Sequence, residues 1–173
     1  TMSNLLVQNI KHTNGTTAQT IDSTGRILTP ARPAFKARLT TGSGGGSNGT
    51  LVFNTEDFDI GGNYDTSNGR FTAPVAGVYW ICFSALSAGD SSGSSLSATN
   101  AIWIHLHKNG TEIPGTVAHA YIASGGSFQE SIHSPNVLSL SASDYITVVV
   151  GSEYVYTDAS GRWDPVFQGY LIG

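Results

Sequence analysis

The chain has 173 residues, enough for one compact domain with a real core and a short extra segment. Charged residues are only 12%, the formal net charge is −4, and the 8 Lys and Arg are too few for a nucleic-acid footprint. The single Cys82 excludes an intrachain disulfide, no apolar run reaches the length of a membrane helix, and no basic-then-apolar leader opens the chain, so neither membrane insertion nor a signal peptide is expected.

Gly, Ser, Thr and Asn are abundant and Lys and Glu scarce, a composition that suits strands and turns rather than helices. Residues 5–10 alternate Leu5, Val7 and Asn9 against Leu6, Gln8 and Ile10, which predicts a short strand. Asn14-Gly15 signals a tight turn, and 20–22 and 26–28 flank a Ser-Thr-Gly turn. This opening is too short and too polar to bury a core alone, so it must pack on the main domain, another copy or a partner. Two prolines within 29–33 predict a stiff, extended connector. The division expected is therefore an N-terminal β segment and connector at 1–32 and a main domain at 33–173.

In the main domain, 35–39 alternates apolar and basic residues as a half-buried strand would. The Gly/Ser stretches at 42–49 and 88–100 read as flexible loops. Short strands are expected at 51–53 and 58–60, with turns at 61–63 and 67–69. Residues 77–86 form the strongest strand pattern. Further strands are predicted at 101–108, turning at Asn109-Gly110 into Glu112 and Ile113, then at 117–123, 127–140, 145–150 and 166–172, with an exposed loop over 154–164. About ten short strands predict an all-β, two-sheet jelly roll preceded by a short β segment.

The aromatics at 53–83 carry a resemblance. Phe53, Asp59, Tyr64, Phe71, Gly77, Tyr79, Ile81 and Phe83 follow the order of the complement C1q globular-head signature, Ile81 replacing an expected Phe. Phe167, Gly169 and Leu171 fit its last strand, so that residues 33–173 resemble a C1q/tumour necrosis factor-like domain. The segment over 5–27 resembles the opening of many tailed-bacteriophage virion proteins.

Residues 77–83 are apolar on both faces: Tyr79, Ile81 and Phe83 on one, Val78, Trp80 and Cys82 on the other. The last strand sets Phe167 and Leu171 against Tyr170 and Ile172. Two-sided burial requires a cover for the outer face, either a folded-over loop or a second subunit. The resemblance implies a homotrimer with one sheet on the threefold axis, and the interface residues expected are Val78, Trp80, Cys82, Phe167 and Leu171.

No catalytic residue, cofactor or metal is expected. His105-x-His107 followed by Glu112 resembles the metal run of cupins, but Thr99 stands where that motif has Gly, Pro114-Gly115 replaces its spaced Pro-x-Gly, and Asn109-Gly110 turns the chain between His107 and Glu112. The reading preferred is a pair of outer-face histidines opposite Ile102, Ile104 and Leu106. No nucleophile elbow is expected, and the Gly run at 42–49 has no Lys and no following helix for a phosphate loop. Cys82 reads as buried and inert. The resemblance allows calcium at a trimer apex, but Asp57, Asp59, Asp65, Asp90, Asp158 and Asp164 have no calcium-loop spacing. The leading expectation is a non-enzymatic, trimeric structural protein of a tailed-phage virion, in tail fibre or capsid decoration. Its partners would be other virion proteins and a host-surface glycan or protein. The alternatives are a secreted C1q-like ligand-binding module and, third, a cupin-type metal enzyme.

Overall fold

The computed structural model describes residues 6–41, 49–88, 101–121, 130–151, 154–157 and 161–173. In chain order the strands are β1 (Asn9–Lys11), β2 (Thr17–Ile21), β3 (Ile27–Leu28), β4 (Ala34–Arg38), β5 (Gly49–Thr50), β6 (Thr55–Ile60), β7 (Tyr64–Asp65) and β8 (Arg70–Thr72). There follow β9 (Gly77–Ala88), β10 (Ala101–Lys108), β11 (Thr111–Glu112), β12 (Ala118–Tyr121), β13 (Ser131–Leu140), β14 (Tyr145–Val150), β15 (Tyr154–Val155) and β16 (Val166–Leu171). The described residues contain no helix.

Strands β1, β2 and β3 make a three-stranded sheet of their own. The main domain is a sandwich. One sheet has seven strands in the order β11-β10-β14-β8-β7, with β12 on β10 and β5 on β14. The other has six, in the order β13-β9-β16-β4-β6, with β15 on β9. Every described pairing is antiparallel. The strands at 101–108 and 145–150 stand where the sequence places them, and β9 runs two residues beyond its expected end.

Some elements differ. Leu51 and Phe53 lie in an extended stretch outside the ladders, with strand β5 just before it; both side chains are nonetheless in the core. Strands β7, β8 and β15 were not foreseen. β7 and β15 are two residues long, too short to show any alternation. The expected loops at 42–49 and 88–100 fall, except for Gly49 and Ala88, outside the described residues. So do Leu5, Asp90, Asp158, and the expected strand ends at 122–123 and 127–129.

The core explains the spacing of the aromatics. Phe35 of β4 stacks on Phe71 of β8 at 4.5 Å and on Tyr64 of β7 at 5.3 Å. Phe167 of β16 meets Phe35 edge-on at 4.9 Å and Phe53 at 5.5 Å. One ring from each of several short strands thus builds a cluster between the sheets, and each ring buried contributes about 1.5–3 kcal/mol. The buried polar ends are satisfied. Tyr64 donates its hydroxyl to the Phe53 carbonyl at 3.0 Å, while the Asp59 carboxylate accepts the Tyr64 amide at 2.8 Å. Tyr79 donates to the Val75 carbonyl. Burial drives the Tyr64 hydroxyl far above its ordinary pKa, so it stays a donor.

Gly169 is required by close approach. A Cβ there would stand 2.8 Å from the Trp80 carbonyl oxygen and 2.5 Å from Ile81 Cδ1. That leaves room for the Phe35 ring, 3.1 Å from the same point.

Candidate functional site

Strand register on the six-stranded sheet fixes which side chains share its outer face. Tyr79, Ile81 and Phe83 of β9 point into the sandwich and are fully buried. Their neighbours Val78, Trp80 and Cys82 point out, as two-residue alternation demands. Trp80 pairs with Val137 of β13 on one side and Tyr170 of β16 on the other. Tyr170 pairs with Ala34 of β4, and Ala34 with Ile60 of β6. One cross-strand row therefore reads Ile60, Ala34, Tyr170, Trp80, Val137, apolar or aromatic over five strands. Trp80 and Tyr170 pack together at 5.5 Å between ring centroids. Val78 and Ile172 extend the patch, the Ile172 amide donating to the Val78 carbonyl. Val137 is 64% exposed, Tyr170 43% and Val78 38%, and Phe58 is open beside them.

Of the residues expected at an interface, Val78 and Trp80 lie on this face, Val78 exposed and Trp80 half-buried. Cys82 lies there too but is covered, at 8% exposure. Burial pushes its thiol above the usual range, so it remains protonated and unreactive. Phe167 and Leu171 require correction. They pair with Phe83 and Tyr79 and point to the inner side. Phe167 is a core ring with no exposure, and Leu171 packs on the core edge against Gly77. The sequence reading missed Tyr170, Val137, Phe58 and Ile60. The signal for Tyr170 was its parity: it differs by one from Gly169, which the motif assigns to the core side.

The patch is bounded by charge. Asp57 accepts from Arg38 at 2.7 Å and pairs with Lys36 at 2.9 Å, and Arg38 reaches Asp164 at 2.8 Å. Hydrogen bonds from Arg38, then Lys36, hold the Asp57 carboxyl below the usual range. Asp65 accepts from Ser67 and Asn68, closing the turn between β7 and β8. The described acidic residues singled out for calcium are thus engaged in framework contacts.

A second cluster lies on the outer face of the seven-stranded sheet. Ile102, Ile104 and Leu106 enter the core as expected, and His105 and His107 face outward, although half-buried rather than free. The turn that was expected to separate His107 from Glu112 does the opposite. Asn109 and Gly110 adopt positive φ, 52° and 82°, and the tight hairpin sets Glu112 directly across from His107. A ring nitrogen from each histidine and a Glu112 oxygen lie within 4.8 Å of one another.

Architecture and motif point to one class. The C1q domain family model matches residues 34–172, and the chain belongs to that family. Complement C1q tumor necrosis factor-related protein 3 of Mus musculus is 29% identical over 139 residues, which are 80% of this chain and 50% of the relative. The Homo sapiens protein of the same name is equally similar. The chain thus spans about half the length of these relatives. Among solved structures, the globular domain of zebrafish complement 1qA protein superposes with a TM-score of 0.62 at 20% identity, covering 82% of this chain and 98% of that one. Murine APRIL does so with a TM-score of 0.57 at 12% identity, covering 81% and 99%. These two likenesses establish the shared fold.

Proposed function

We propose that this chain is a non-enzymatic C1q-like ligand-binding module that works as a homotrimer, joined through the outer face of its six-stranded sheet. The observation that carries this is the five-strand row Ile60, Ala34, Tyr170, Trp80, Val137, flanked by Val78, Phe58 and Ile172. A contiguous apolar face rimmed by ion pairs is the pattern of a surface meant to be covered. The C1q-related relatives support the reading, and they favour the secreted ligand-binding module over the virion placement. Replacing Trp80 with Asp tests it. A charge in a dry interface is strongly unfavourable, so W80D is expected to yield a smaller species or aggregate. An assembly unchanged in mass would place the interface elsewhere.

A virion placement is a second reading, supported by the N-terminal sheet and its phage-like sequence. Leu6, at 94% exposure, together with Ile10, Ile27 and Leu28, leaves apolar surface in the open on this small unit. Such a segment fits docking onto another virion protein, with the main domain turned to a host glycan or protein.

A further inference from the structure

We propose that His105, His107 and Glu112 form a binding site for one divalent transition-metal ion of the zinc class. The site departs from the sequence expectation, which gave these residues no metal.

The first support is geometric. Two histidines two residues apart on β10 share one face, and the Asn109-Gly110 turn brings Glu112 back opposite His107. The His rings stand 4.8 Å apart between centroids, and His105 Nδ1 lies 3.7 Å from Glu112 Oε2. Ligands on a tetrahedral zinc with bonds of about 2.0–2.1 Å sit a little over 3 Å apart. The Glu112 side chain is half-exposed, so it is free to close the difference.

The second support is independent of spacing. The Nε2 atoms of both histidines are shielded from solvent and have no hydrogen-bond partner. Buried polar atoms are ordinarily paired, so the bare Nε2 of His107 calls for a ligand, while His105 faces Glu112 through Nδ1 and ligates through that atom. The tautomer of His107 fits that need. Its Nδ1 lies 3.2 Å from the Gly110 carbonyl, which can only accept, so Nδ1 carries the proton and Nε2 keeps its lone pair. A carbonyl orienting one ring nitrogen so that the other faces metal is the common support of a histidine ligand.

The donor set selects the ion. Two imidazoles and a carboxylate suit zinc, nickel or copper, whereas calcium and magnesium require oxygen cages. Beside His107 lies a cleft of about 320 Å³ bordered by Thr50, Arg70, Tyr145 and Thr147. It gives room for water or a small anion as a further ligand. Such an ion would clasp the β10–β11 hairpin at the edge of its sheet.

The experiment uses the full chain, stripped of metal by a chelator, and titrates zinc calorimetrically and cobalt(II) by visible absorption. One ion per chain is expected, with a cobalt spectrum of low coordination number. Both His107→Ala and Glu112→Gln should weaken binding by at least about 100-fold, beyond the roughly 10–100-fold cost of losing a supporting residue. Because Glu112 is half-exposed, its substitution leaves the fold intact and isolates the ligand effect. His119→Ala, at an exposed histidine of the neighbouring strand β12, should bind as the parent does. Failure of the parent to bind zinc or cobalt stoichiometrically at micromolar concentration would overturn the proposal. So would equal binding by a His105→Ala/His107→Ala double variant.

Discussion

Phe167 and Tyr170 show how much a single residue's facing decides. Both lie on β16, yet one closes the core and the other tops the outer patch. Their substitutions should separate. Phe167→Ala removes a fully buried ring and should cost about 3–5 kcal/mol, read by denaturant unfolding. Tyr170→Ala should leave the isolated fold near its parent stability and weaken association instead. Gly169 between them admits no side chain, because its Cβ would meet the Trp80 carbonyl. Gly169→Ala should therefore destabilise by roughly 1–3 kcal/mol through overpacking; an unchanged melting temperature would show that the two strands separate freely. The facing of β16 was not legible in its apolarity, because both its sides are apolar; only the motif position of Gly169 set the parity. Register against Tyr79, Ile81 and Phe83 settles it.

At the level of elements, the long strands were legible where one face is uniformly apolar, as in Ile102, Ile104 and Leu106. The two-residue strands were not, since their place comes from partners distant in sequence. The closeness of Glu112 to His105 and His107 was not legible for a related reason. A turn lengthens separation along the chain while creating contact across the hairpin. The edge pair β4–β6 carries a pH response. The folded-state pKa of Asp57 is depressed, so its contribution is present above the unfolded carboxylate value of about 3.9 and is lost as pH falls through that range. Thermal melts should fall below about pH 4, and Asp57→Asn should flatten that slope while lowering stability near neutrality. A second element-level expectation concerns the N-terminal sheet. Deleting residues 2–29 should leave the sandwich folded and trimeric by circular dichroism and scattering, since the core cluster draws no residue from β1–β3. If the virion reading holds, the shortened chain should no longer load onto particles.

For the whole molecule, the signature positions are core residues, which is why they identify the fold with little of its use. A binding surface can change without disturbing Phe35, Phe71 or Phe167. Assembly is different, because the outer apolar face is carried by the core strands themselves. The sequence pointed to it through Val78 and Trp80, both alternating with buried neighbours on β9. The most direct test of the account is the molar mass of the intact chain by light scattering at micromolar concentration. Three times the 18.1 kDa of one chain is the result the open face of Trp80, Tyr170 and Val137 predicts. A clean mass of a single chain would contradict it.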